Sequence, residues 1–254
     1  MKKLIWALVY AFALSQFSQF ANAASRPGAK SSGSGGSSFL VEAAYDIDSV
    51  SATDLNSARK SFLWNNTTPS SGTINRLSGF GVSLGYRFFD PVYLILRYES
   101  FSQTLPTTTI SGASYTIADS FTYKPILLLA DLPFHLFDSL VISLRAGLGY
   151  AAEFQFAQQN TGGNGELVKW VANPIPIRAG LTVNYKFADF VGLFAEAYYE
   201  SVKASKLTAA SNYSTTISGN PIVSGQTLPD ANTGSAVAVD ISGTHLGAGL
   251  RVEF

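Results

Sequence analysis

The chain has 254 residues, of which 17 are basic and 17 acidic, so it carries no formal net charge. Charged residues make up only 13%, well below the ~25% usual in soluble domains, while aromatic residues reach 13%. This balance excludes a general nucleic-acid binder. The lack of cysteine excludes a disulfide framework and any thiolate metal site, and no cofactor is expected.

In chain order, the first segment is MKKLIWALVYAFALSQFSQFANA. Lys2 and Lys3 precede an apolar run from Leu4 to Leu14, and Ala21-Asn22-Ala23 forms an A-x-A cleavage site. Residues 1–23 are therefore expected to be a secretory signal peptide, cut near Ala23. An uncleaved anchor needs about 20 apolar residues, and Ser15, Gln16, Ser18 and Gln19 break the run too early. Residues 24–37 are rich in Gly and Ser and predict a flexible tether. The remainder, 38–254, is the expected folded domain.

That domain alternates repeatedly at a period of two, the signature of strands with one apolar and one polar face. Near its start, Phe39, Val41, Ala43 and Tyr45 oppose Glu42, Ala44 and Asp46. Phe80, Val82, Leu84, Tyr86 and Phe88 then oppose three glycines, Ser83 and Arg87. Leu94, Leu96 and Tyr98 oppose Tyr93, Ile95, Arg97, Glu99 and Phe101. Phe121, Tyr123, Leu127 and Leu129 are assigned to the apolar outer face, against Ser120, Thr122 and Lys124. From Leu140 to Phe156 the even-numbered residues read as one apolar face against Ser143, Arg145, Glu153 and Gln155. A sixth strand carries Ile175 to Phe187 against Arg178, Gly180, Thr182 and Asn184. A seventh carries Leu193 to Tyr199 against Phe194, Glu196, Tyr198 and Glu200. The eighth, HLGAGLRVEF, sets Leu246, Ala248, Leu250, Val252 and Phe254 against His245, two glycines, Arg251 and Glu253.

Short connections at Phe89-Asp90-Pro91, Asp131 to Asp138 and Ala188-Asp189-Phe190 alternate with long ones. The prediction is an all-β, eight-stranded antiparallel up-and-down transmembrane β-barrel with periplasmic termini and long extracellular loops. A soluble barrel would invert the faces, with Leu and Phe inside. SLRAGLGYAAEF and HLGAGLRVEF in particular resemble the small eight-stranded outer-membrane group of OmpX, OmpW and the OmpA transmembrane domain. That resemblance implies the outer membrane of a diderm bacterium as the location. It also implies outer-membrane lipids and lipopolysaccharide as surroundings. Leu250, Val252 and Phe254 would be the insertion signal shown to the barrel-assembly machinery.

The expected interior charge network is Arg87, Arg97, Lys124, Arg145, Arg178 and Arg251 against Glu42, Asp46, Glu99, Glu153, Glu196, Glu200 and Glu253. Charges this evenly balanced favour a plugged, salt-bridged core over a pore, which would carry an excess of one sign. The expected role is structural, with surface loops displayed and no enzymatic activity. Proline is kept out of central strands, so Pro125, Pro174 and Pro176 mark an alternative: a lateral seam beside strand six for small hydrophobic solutes. An enzyme acting on lipid A is disfavoured, because neither His135 nor His245 has a fitting nucleophile beside it. Phe62, Leu63 and Trp64, an apolar cluster within a polar loop, predict a lid over the mouth or contact with a surface ligand.

Overall fold

The computed structural model describes residues 39–58, 72–106, 108–109, 116–160, 166–214, 216–217, 220–229 and 234–254. The expected signal peptide (1–23), the expected tether (24–37) and the Phe62-Leu63-Trp64 cluster lie outside the described residues.

Eight antiparallel wall strands close into a barrel. β1 (Phe39–Val50), β2 (Arg76–Phe89), β3 (Val92–Thr104), β4 (Thr116–Phe137) and β5 (Leu140–Asn160) pair as successive neighbours. β6 comes in two pieces, Leu167–Val171 and Ile177–Ala188, both paired with β5. β7 (Val191–Ser201) and β8 (Gly243–Glu253) complete the wall. β8 pairs with β1 from Glu253↔Leu40 to Gly243↔Val50, which leaves no open edge.

Tight turns at Asp90–Pro91, Asp138–Ser139 and Asp189–Phe190 join the strands at one end, where Phe39 and Phe254 also stand. Long connections lie at the other end. The last of them is partly built into the wall: Lys203–Ala204 pairs with Val239–Asp240, and Thr208–Ala209 pairs with the upper piece of β6. A single-turn helix, α1 (Thr53–Ala58), follows β1.

The outward face is apolar and exposed: Val41, Val82, Leu84, Leu96, Leu144, Leu148, Leu181, Leu193, Leu246 and Leu250 all lie on it. Aromatic residues border this belt at both ends. Tyr86, Phe88, Phe137, Phe187 and Phe190 are exposed toward the turns, and Tyr45, Phe80, Tyr150 and Tyr199 toward the long connections. From Phe80 to Phe88 the strand runs about 27 Å at ~3.4 Å per residue. A tilt of about 40° reduces this to roughly 20 Å along the barrel axis, close to the ~25 Å apolar band of membrane barrels. A soluble barrel could not leave such a belt in water. The wall is a transmembrane one.

β4 and β5 depart from the expected facing. Phe121, Tyr123, Leu127 and Leu129 point inward and are fully buried, so the outer-face assignment of these residues is wrong. Lys124 instead faces outward with Glu153, and the two ion-pair at 2.6 Å, both about one-third exposed. They do not belong to the interior network. On β4 the odd-numbered residues face inward throughout, from Phe121 to Asp131, whereas β5 changes facing at a register shift: Lys124 pairs with Glu153 but Pro125 pairs with Ala151, so Ala152 is passed over. An extra residue reverses the facing of everything beyond it. Phe154 and Phe156 therefore enter the interior, while Leu144 and Leu148 below the bulge face out. The expected short connection from Asp131 to Asp138 is also strand: β4 runs to Phe137, and Asp131 points inward.

Candidate functional site

The barrel interior has two layers. In the half nearer the turns, four guanidiniums join carboxylates from different strands. Arg97 of β3 reaches Glu99 at 2.6 Å, Glu196 at 2.5 Å and Asp46 at 2.8 Å. Arg145 of β5 holds Glu42 at 2.9 Å and Asp131 at 3.1 Å. Arg178 of β6 lies 2.5 Å from Glu99 and 2.6 Å from Glu200, its partner across the β6–β7 ladder. Arg251 touches Glu253 at 2.8 Å, and Lys186 closes on the same carboxylate at 2.5 Å. Arg87 stands at the turn end, 2.7 Å from the Tyr93 hydroxyl.

Carboxyl groups outnumber guanidiniums here, and hydroxyl and imidazole groups hold the remainder. Tyr198 donates to Glu196, Tyr123 donates to Glu200 at 2.7 Å, and His245 Nδ1 meets Asp48. Apart from Arg87, β2 contributes no charge to the interior, since its other arginine, Arg76, is exposed. Its inward positions Gly79, Gly81, Ser83 and Gly85 leave the room that long side chains need. A Cβ on Gly81 would lie 3.1 Å from both the Arg97 Nη2 and the Glu99 side chain. Burial of these guanidiniums is tolerated because each lies beside at least one carboxylate.

The other half of the interior is mostly apolar, with one buried polar pair in which Gln158 donates to Asp119 at 3.0 Å. Phe101, Phe121, Phe154, Phe156 and Trp170 from the wall pack with Leu55 of α1 and Ile74 beyond it. The last long connection contributes Val202, Leu207, Ile222, Leu228, Val237, Val239 and Ile241 to the same cluster. The long connection thus folds into the mouth as a hydrophobic cap. Phe101 also stacks edge-on against His245 at 5.6 Å, where the apolar layer meets the charged one.

In the wall, Pro174 and Pro176 occupy the irregular stretch 172–176 between the two pieces of β6. On the β5 side this stretch stays attached: Gly149 N–H donates to the Pro176 carbonyl at 2.9 Å, and Ala172 N–H donates to Phe154 at 3.1 Å. On the β7 side the last rung is Ile177↔Ser201, and pairing resumes only at Val171↔Thr208. Between these rungs lies a groove of about 550 Å³ lined by Pro174, Ile175, Ile177, Lys203, Ala204 and Lys206, among others. Pro125 sits elsewhere, at the β4–β5 bulge. Lys203 is 3.2 Å from Asp240. Burial pushes the Asp240 carboxyl up, but hydrogen bonds from Ser242 and the nearby Lys203 ammonium outweigh it and hold the group below its ordinary range.

Of the residues expected in the network, Glu42, Asp46, Arg97, Glu99, Arg145, Arg178, Glu196, Glu200, Arg251 and Glu253 meet in the interior. Arg87 is peripheral, and Lys124 and Glu153 are outside it. Sequence reading missed Asp48, Asp131 and Lys186. Asp48 continues the inward even-numbered register of Glu42 and Asp46, so extending β1 by two residues would have found it. Leu250, Val252 and Phe254 lie along the outer face of β8, with Phe254 bonded to Phe39 at 2.9 Å. Among the described residues, no group of His, Cys, Asp and Glu is arranged to hold a metal.

No family model matches the sequence, and no curated protein matches it. Several solved structures are similar. One is Ail, the attachment invasion locus protein of Yersinia pestis, in complex with the heparin analogue sucrose octasulfate. It has a TM-score of 0.44 and 13% identity over 85% of this chain and 99% of that one. Another is the outer membrane protein OprG from Pseudomonas aeruginosa, at 0.49 and 12% over 86% and 96%. Neisserial surface protein A scores 0.43 at 15% over 87% and 99%. At these scores the barrel stands on the register of its own strands.

Proposed function

We propose that the protein is an integral outer-membrane protein of a diderm bacterium, with a sealed barrel whose long connections are displayed at the cell surface. The observation that carries this reading is the double closure of the interior, by a charge network at one end and an apolar cap at the other. An apolar belt between two aromatic girdles supports the membrane setting. Outer-membrane lipids and lipopolysaccharide would then surround the wall. The apolar alternation ending at Leu250, Val252 and Phe254 is the feature the barrel-assembly machinery would read. A non-enzymatic role fits the histidines: His245 is buried against Asp48 and Phe101, and His135 is exposed near a turn.

A second reading, a lateral path for small apolar solutes, is favoured by the interrupted ladder at Pro174 and Pro176. The groove there opposes it. Its lining includes Ala204, which is buried within the capping cluster, so the groove backs onto packed side chains.

The chain's lack of cysteine allows a clean test of orientation. Ser224→Cys, on the last long connection, is expected to react with a membrane-impermeant maleimide on intact cells. Asp189→Cys, in a tight turn, is expected to react only after the cells are permeabilised. The reverse pattern, or labelling of both in intact cells, contradicts the proposed display.

A further inference from the structure

We propose that the groove between residues 172–176 and 202–208 binds a phosphorylated glycolipid of the outer leaflet, an inference that rests on the outer-membrane reading above. The acyl chain would lie along Ile175 and Ile177, and a phosphate would sit between Lys203 and Lys206.

Four observations converge on this site. The groove interrupts the outer surface of the wall, and its lower edge is apolar and lipid-facing: Ile175 and Ile177 are 65% and 59% exposed. Its level is interfacial. Its lower rung, Ile177↔Ser201, lies two residues beyond the Tyr199↔Ala179 pair, and Tyr199 belongs to the upper aromatic girdle. Aromatic girdles mark the boundary between hydrocarbon and headgroups, so the groove opens where lipid phosphates lie. The upper edge is basic. Lys203 and Lys206 line it, and Lys169 projects on the same outward side of β6, about 7 Å beyond Val171. Asp240 offsets only one of these charges, through its contact with Lys203. Ser205 and Asn173 add polar groups beside the lysines. Finally, the groove is floored by Ala204 and backed by the packed cap, which makes it a recess in the wall and not a passage.

An apolar recess below a basic rim, at headgroup depth, matches an amphiphile with a phosphate above its chains. A free anion would use only the upper half and a neutral lipid only the lower.

The test uses the full mature chain refolded in a neutral detergent, with native mass spectrometry reporting bound lipid. The probes are bis-phosphorylated lipid A, the same lipid with its phosphates removed, and inorganic phosphate as competitor. Heat-dependent mobility on gels checks folding of every variant. The bis-phosphorylated lipid is expected to bind at one site. A Lys203→Gln/Lys206→Gln double variant should weaken it about tenfold, as two partly exposed charge contacts would. Ile175→Asp should weaken both lipids. Undiminished binding by the folded double variant overturns the proposal. So does equal binding of the phosphate-free lipid, or full displacement by inorganic phosphate. Failure of the wild-type chain to show the folded, heat-modifiable band would instead defeat the outer-membrane reading on which the proposal rests.

Discussion

Arg97→Ala is expected to lower the unfolding free energy by about 3–5 kcal/mol, the usual result of removing one partner from a buried, fully paired cluster. Arg97 is completely buried, and its guanidinium is shared by Asp46, Glu99 and Glu196, from β1, β3 and β7. Without it, three carboxylates are left close together in a medium with little water to screen them. Arg97→Lys should recover little of the loss. An ammonium cannot reproduce the paired bonds from Nη1 and Nη2 to Glu196, at 3.0 and 2.5 Å. Lys124→Ala provides the contrast, because its pair with Glu153 is one-third exposed and should cost about 1 kcal/mol at most. Urea titration in lipid vesicles would measure all three. Equal and small effects for Arg97 and Lys124 would mean that the interior is hydrated.

The second large effect concerns the apolar layer. Phe156→Ala is expected to cost about 3–5 kcal/mol, because the ring is fully buried among Phe121, Phe154 and Trp170 and leaves a cavity behind. Leu148→Ala, on the same strand, should cost much less, since Leu148 is 59% exposed to the lipid side. The comparison isolates the bulge at Ala152. If β5 kept one unbroken apolar face, Phe156 would meet lipid and its loss would resemble that of Leu148. Matched urea titrations of the two variants decide it, and similar midpoints would contradict the reversed facing above the bulge.

Much of the wall was legible from alternation alone. β1, β2 and β8 pair an apolar outer set with mostly small or ionisable inner residues, β3 and β7 mix charges with buried Ile95, Phe101 and Phe194 on the inner face, and short turns fix the register by counting. From the turn at Asp189, Arg178 falls opposite Glu200 and Gly180 opposite Tyr198, and these are the rungs of the ladder. β4 and the upper part of β5 were not legible. Both faces of PILLLA are apolar, so the run carries no phase, and Lys124 looked like an inward residue when it is an outward one. The bulge opposite Pro125 leaves no mark in the alternation of β5 except a reversal that Ala151 and Ala152 conceal. The apolar upper layer was hidden for a related reason. Its members come from α1, several wall strands and a connection rich in Ser, Thr and Asn, whose Leu and Ile are scattered without period.

The two layers differ in what holds them. The charge network is specified by geometry, since each guanidinium must meet carboxylates from several strands, and the glycines of β2 and β8 make room for it. A Cβ on Gly247 would collide with both Asp46 and Glu196. The cap is specified by volume and by burial of the last long connection. A barrel closed twice in this way offers its outer surface and its connections for interaction, while its bore is filled.

The most direct measurement of that closure is single-channel recording of the refolded wild-type protein in a planar bilayer, with an Arg178→Ala/Glu200→Ala variant alongside. The sealed interior predicts no conductance steps in the wild type. The capping layer, with Phe101, Phe154 and Trp170 still in place, predicts that the variant is also silent or opens only rarely. Discrete, reproducible steps in the wild type would contradict the account, because they require a continuous water path through both layers.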